Sequence, residues 1–329
     1  MTLPQELLDR PDPESKRVDF IAFGILCVAL ISVSFAPIFV RLGETELGAN
    51  ATVTNRLLIF SLVFGCGRLI RQTFSRSQPE STRKSPFTLQ EWLLLGSIGA
   101  VSVTTLGLWA IALEYTSVAK CMLLNNLTPI FTSLGSWLFL RKRFDNKFIL
   151  GMVIALAGAI ALGAEDLHGG ETSLLGDFYA LLSAVFLGAY FLIVERLRYS
   201  FSSTAILLWR GILGSILLLP IVIFTEGQLF PTTLVAWVGV IGLGIVSEGF
   251  GQRLLAESMS KFSSSFVALF LLLEPIVSTV LAWFIFAETI TPITWVGFAV
   301  VLSGIYLAQS SGAATQDAVP NPRLTTSKL

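Results

Sequence analysis

Four ionisable side chains stand inside otherwise apolar runs of this 329-residue chain: Arg56, Arg210, Glu248 and Glu274. Ionisable groups are costly in hydrocarbon and are candidates for function by default. Either guanidinium could hold a carboxylate or phosphate through two parallel hydrogen bonds. The alternative is a cation bonded to helix carbonyls or reaching back to the interface. Either carboxyl could carry a proton, or could serve only to neutralise Arg56 or Arg210. Glu248 lies in Ser247-Glu248-Gly249, with Gly244 and Gly251 close by, which permits close approach or local unwinding. Glu274 precedes Pro275, whose missing N–H leaves a carbonyl one turn earlier in need of a partner. Pro129 follows Asn125 and Asn126 in a similar run. The two prolines are hinge candidates. The two asparagines could give neutral contacts to a substrate or bond between helices. Trp109, Tyr115 and Tyr190 could pack on a ligand, or serve packing and the interface.

Other chemistry is thinly supplied. A single His168 leaves neither a metal site nor a catalytic triad to expect. Cys27, Cys66 and Cys121 all lie in apolar stretches and read as small hydrophobes without a disulfide framework. Glu165-Asp166 is an acidic pair in a loop, so an intramembrane enzyme is the least favoured reading, and no cofactor is expected. No phosphate-cradling loop suggests direct ATP drive. Lys plus Arg equal Asp plus Glu at 22 each, which offers no basic face to nucleic acid. Charged residues make up 13% of the chain and hydrophobic residues 53%. A soluble domain carries about 25% charged residues. The composition therefore points to a polytopic membrane protein.

Spans of about 20 apolar residues are the elements that must position these groups. Ten are expected: Phe20–Val40, Ala49–Ile70, Trp92–Leu113, Val118–Leu140, Phe148–Gly163, Leu174–Val194, Thr204–Phe224, Leu234–Gln252, Ser264–Ala287 and Thr294–Gln309. The second is the weakest. Its Val, Leu, Ile and Phe residues between Val53 and Phe64 favour insertion by roughly 3–4 kcal/mol, and Arg56 opposes it by about 3 kcal/mol. Neighbouring helices must help hold it. Of the 22 cationic residues, Arg41 and Lys120 fall on one side and Arg56 and Arg210 within spans. The rest, from Arg10 to Lys328, collect on the side of the termini, so both termini are expected to be cytoplasmic. The opposite loops hold Glu44, Glu46, Glu165, Asp166, Glu171 and Glu226. Residues 1–19 are expected as a cytoplasmic tail and 310–329 as a disordered cytoplasmic tail.

The chain also repeats itself. A shift of 146 residues superposes Pro129 on Pro275, Trp137 on Trp283, Gly151 on Gly297, Gly158 on Gly304 and Gly96 on Gly242. A shift of 158 places Asp19-Phe20 on Asp177-Phe178. Two units follow, 20–163 and 174–309, each with five spans. The odd number inverts the second copy in the membrane, a common plan of secondary transporters. Gly151 and Gly158, like Gly297 and Gly304, lie seven apart and suit close helix packing, including a dimer contact.

The run Ala112-Leu113-Glu114-Tyr115-Thr116-Ser117, Asn125-Asn126-Leu127-Thr128-Pro129 and Lys142 has a partner in Leu273-Glu274-Pro275, Phe286-Ala287-Glu288, Gly297 and Gly304. Together with Thr54-Asn55-Arg56-Leu57, this pattern resembles the EamA-type branch of the drug/metabolite transporter superfamily over about residues 20–309. The resemblance implies an all-α integral membrane protein, with ten transmembrane helices as two inverted five-helix repeats around a central cavity. It implies movement of small metabolites, amino acids among them, often outward. One departure is Lys142, where the family commonly ends its fourth helix with an acid; the counterpart Glu288 is present. The expectation is a secondary transporter in the plasma membrane, monomeric or homodimeric, working by alternating access with a small-molecule substrate and a candidate coupling proton. A passive channel or a non-transporting membrane subunit is the alternative.

Overall fold

A chain segment in hydrocarbon must satisfy its own backbone hydrogen bonds, and here the apolar runs do so as helices. The computed structural model describes residues 13–74, 88–116, 118–164, 174–286 and 292–314. Arg76, Arg83, Lys84, Ser117, Glu165, Asp166, His168, Glu171, Ala287, Glu288 and most of both expected tails lie outside them. The described elements are all helical: α1 Pro13–Ser34, α2 Ala36–Gly43, α3 Ala49–Phe74, α4 Leu89–Tyr115, α5 Val118–Asn125, α6 Thr128–Leu140 and α7 Asn146–Ala164. They continue as α8 Leu174–Arg198, α9 Ser203–Thr225, α10 Leu234–Gly242, a π-helical segment Leu243–Gln252 and α11 Arg253–Ser258. α12 Ser264–Phe270, a 3-10 turn Leu271–Leu273, α13 Glu274–Phe286 and α14 Pro292–Gln309 complete the order. α1 begins inside the stretch expected as a tail. Beyond Ser310, Gly312–Ala314 form a 3-10 turn with Ala314 buried, its carbonyl accepting from Ser263 N at 3.0 Å.

Among the described residues seven helical stretches are long and apolar enough to cross a membrane: Phe20–Gly43, Ala49–Ile70, Leu89–Ala112, Leu174–Arg198, Ser203–Thr225, Leu234–Ser258 and Ser264–Ile285. Asn146–Ala161 and Trp295–Gln309 are shorter apolar helices. The run Val118–Leu140 is not one rod. It breaks at Asn126 and Leu127 into α5 and α6.

The breaks have a common cause. Pro129 sits in the first turn of α6, Pro37 in that of α2 and Pro275 in that of α13. A first turn needs no donor from its opening residues, so proline is tolerated there and discourages continuation from the preceding segment.

The ladder widens at Leu243–Gln252, where glycines remove Cβ atoms that would collide. A Cβ on Gly244 would lie 2.7 Å from Ile59 Cγ2 of α3, and one on Gly251 2.7 Å from Val33 Cγ1 of α1. The local unwinding expected around Glu248 is thus a π-helical stretch. α7 and α14 also pack backbone to backbone. A Cβ on Gly304 would meet Ala155 N at 2.4 Å, and one on Gly151 would meet Gly304 O at 2.6 Å. These glycines are used within the chain.

Buried apolar side chains are unevenly distributed. One large cluster joins α1, α4, α7, α8, α9 and α11 to α14 toward the end that carries Pro13 and Ala314. At the opposite end there are two small, separate clusters: Leu47, Ala51, Val222 and Val240, and Ala112, Cys121 and Ala180.

Candidate functional site

Arg56 and Arg210, separated by 154 positions in sequence, converge on one carboxylate. Arg56 Nε lies 2.7 Å from Glu248 Oε2, and Arg210 Nη1 lies 2.6 Å from Glu248 Oε1. The π-helical segment presents Glu248, α3 presents Arg56 and α9 presents Arg210. The missing side chain of Gly244, whose Cβ would lie 3.2 Å from Arg56 O, lets α3 come this close.

Glu248 is fully buried. Two charge-assisted bonds, one on each oxygen, are what make its burial tolerable. The structure pairs Glu248 with both arginines. The trio keeps a net charge of +1.

The two arginines are not equivalent. Arg210 is 9% exposed and is further held by Nε donating to Ser102 Oγ at 2.9 Å and Nη1 donating to Tyr190 Oη at 3.4 Å. The Tyr190 ring lies 5.0 Å from its Cζ, within cation–π range. Arg56 is 17% exposed, and only its Nε is engaged among the described residues. Its two terminal nitrogens keep their donors. Arg56 faces inward, because its Nε is bonded to the fully buried Glu248.

Glu274 is half-buried, and its carboxylate has no hydrogen bond or ion pair among the described residues. Its backbone is tied to the break between α1 and α2. Ser34 Oγ donates to Glu274 O at 3.5 Å, and Ser278 Oγ donates to Ser34 O at 2.9 Å. Asn125 and Asn126 stand at the break between α5 and α6, and α5 packs on α8, α7 and α4. Asn125 Oδ1 is buried with no hydrogen-bond partner among the described residues. Pro129 is buried and Pro275 exposed. Trp109 packs beside the Ala112 cluster, and Tyr115 is exposed with its ring 6.5 Å from that of Tyr179.

A second polar centre lies toward the Pro13/Ala314 end. The Lys142 ammonium pairs with Glu195 Oε1, and Glu195 Oε2 accepts from Ser264 N at 2.7 Å at the start of α12. Glu195 is fully buried, so α6, α8 and α12 are fastened at one point. Beside it Arg198 Nη2 lies 2.9 Å from Glu257 Oε1, and Ser203 Oγ donates to Glu257 Oε2 at 2.9 Å. The sequence singled out Lys142 only as a departure from the family pattern; Glu195, Arg198 and Glu257 carried no signal, because charges near helix ends are ordinary. Sequence reasoning also missed Ser102, since a serine in an apolar helix carries no signal.

A bundle of membrane-length helices around an inward-facing arginine with free donors is the plan of a membrane transporter. Residues 20–164 and 174–309 match the EamA-like transporter family, and the chain belongs to that family. It is a multi-pass membrane protein. Among its relatives is an uncharacterized transporter, YetK, of Bacillus subtilis, 22% identical over 87% of this chain and 86% of that one. Another, from Streptantibioticus cattleyicolor, is named a probable terminal-alkyne amino-acid exporter; it is 25% identical over 86% of this chain and 92% of its own length. A crystal structure of a protein with 18% identity covers 87% of this chain and 96% of that one at a TM-score of 0.73, which shows a shared fold.

Proposed function

We propose that the protein is a secondary transporter that exports a small amphipathic carboxylate of the amino-acid class across the plasma membrane. The observation that carries this reading is Arg56: a guanidinium anchored on one edge by buried Glu248 and open on the other. A fixed, partly desolvated fork of this kind suits a substrate carboxylate. In this reading Glu274, half-buried and with no carboxylate partner among the described residues, takes the substrate ammonium or a coupling proton. The name of the Streptantibioticus relative supports the amino-acid class and the outward direction.

In this reading 20–163 and 174–309 are two inverted halves with five crossings each, and the substrate enters a central cavity between them. The continuous core at one end and the divided clusters at the other support a carrier closed on the Pro13/Ala314 side. With cytoplasmic termini, as the charge asymmetry favours, that side is the inner one. Alternating access requires the Lys142–Glu195–Ser264 fastening to part, with the breaks before Pro129 and Pro275 as hinges.

The test is binding to purified protein. A zwitterionic amino acid should raise Tm, while its decarboxylated amine should not. Arg56→Gln should weaken binding at least tenfold with little change in unliganded Tm, because Arg210 still pairs with Glu248. Equal binding of the acid and the amine would overturn the carboxylate assignment.

A further inference from the structure

Between α3 and α9, on the lateral face of the bundle, runs an open groove of about 510 Å³. That is within the usual range of small-molecule sites, roughly 300–1,000 Å³. Its depth comes from Ser61, Gly65 and Ser215, which leave the two helices without bulk where they face each other. Its rims are Leu62, Leu69, Ile212 and Ile216, all exposed. The α3 residues recur every three or four positions, so they form one helix face. Arg68 lies on that face two turns beyond Ser61, roughly 10 Å nearer the Pro13/Ala314 end.

Three groups in the groove lack partners among the described residues. Arg68 makes no ion pair or hydrogen bond among the described residues. Ser215 is only 6% exposed, yet its Oγ has no hydrogen-bond partner, and Ser61 Oγ is likewise buried and unpaired. An apolar trough open to the bilayer with a free guanidinium at its mouth matches an amphipathic anion, not a soluble metabolite. The sequence continues with Arg71, Arg76, Arg83 and Lys84, the kind of basic cluster beside a span that attracts anionic headgroups.

We propose that this groove is a specific site for an anionic phospholipid, with its phosphate on Arg68 and one acyl chain along Ser61, Gly65 and Ser215. The site faces away from Glu248 and does not depend on the substrate assignment.

The test uses the full chain, delipidated in a neutral detergent and titrated with phosphatidylglycerol, phosphatidylcholine or glycerol 3-phosphate while retained lipid is read by native mass spectrometry. Phosphatidylglycerol should bind at least tenfold more tightly than phosphatidylcholine. Arg68→Gln should erase that preference, while Lys147→Gln, an exposed cation at the same end, should leave it intact. Gly65→Leu should fill the groove and remove tight binding with Arg68 still present; its Cβ would meet only Leu208 Cδ2 at 3.6 Å. Should that variant fail to fold, Arg68→Gln carries the test alone. Equal retention of the two lipids, or a preference unchanged by Arg68→Gln, would overturn the site. Glycerol 3-phosphate binding as tightly as the intact lipid would also overturn it, in favour of a free-phosphate site.

Discussion

At the scale of single residues, Glu248 has the largest predicted effect. Its two oxygens compensate two guanidiniums, so Glu248→Gln leaves two cations short of an anion inside the bundle. Breaking a buried pair in this way costs about 3–5 kcal/mol. The expected result is a strong fall in Tm and in membrane yield, whereas Ser102→Ala, which removes one donor–acceptor pair from Arg210, should cost about 1.5–3 kcal/mol. Glu46 gives a prediction in pH. Its carboxylate accepts from the Thr232 hydroxyl, from Thr232 N at 2.7 Å, Thr233 N at 2.9 Å, Thr233 Oγ1 at 2.8 Å and Gln228 Nε2 at 2.8 Å. These bonds, the Thr232 hydroxyl first, lower its pKa from the ordinary 4.5 to about 2. Stability from a lowered carboxylate is complete above the unfolded value and is lost as pH falls through the folded one. The Tm difference between the natural protein and Glu46→Ala should therefore be constant near neutral pH and shrink between 4.5 and 2. Arg56, Arg210 and Glu248 were legible in the sequence because charge inside apolar runs is conspicuous. Pairing with an arginine was one of the readings open to Glu248 and to Glu274; that both arginines meet the one carboxylate of Glu248 was not legible, since partners 192 and 38 positions apart leave no periodic trace. Tyr190 was legible as an aromatic, though not as the ring that receives Arg210.

Among elements, the apolar runs announced most of the helices, while the points where helices fail were only half announced. Pro129 and Pro275 marked two breaks, and the glycines around Glu248 marked unwinding. Phe64 and Val33 pack into the space left by Gly249 and Gly251 in the π-helical segment, contacts that local sequence does not encode. The pairing of α7 with α14 was likewise hidden behind glycines that equally suited a dimer contact. Gly304→Leu should separate these helices, because its first side-chain atom would already be 2.4 Å from Ala155 N. Overpacking of this kind costs about 1–3 kcal/mol or more, readable as a lower Tm with the charge cluster untouched. The Lys142–Glu195–Ser264 fastening makes a different prediction. Lys142→Gln should loosen the Pro13/Ala314 end, so that a cysteine placed at Ser136, buried beside Ser264 and Ser265, reacts faster with a water-soluble maleimide. An unchanged labelling rate would show that the ion pair does not hold that end closed.

For the whole molecule, the proposal reads the large core at one end as the closed side of a carrier and the divided clusters at the other as its open side. Membrane character was legible from composition alone. Which end is packed was not, because it follows from contacts among α1, α8 and α12 that are far apart in the chain. The central claim is saturable exchange of an amphipathic carboxylate through a site built on Arg56. The most direct measurement is counterflow in proteoliposomes loaded with unlabelled amino acid and diluted into a trace of labelled amino acid. The expected result is transient accumulation of label that saturates, is stimulated by substrate on the opposite side and falls at least tenfold in Arg56→Gln. Counterflow equally strong in Arg56→Gln would contradict the site, and flux that neither saturates nor shows counterflow would contradict the carrier itself.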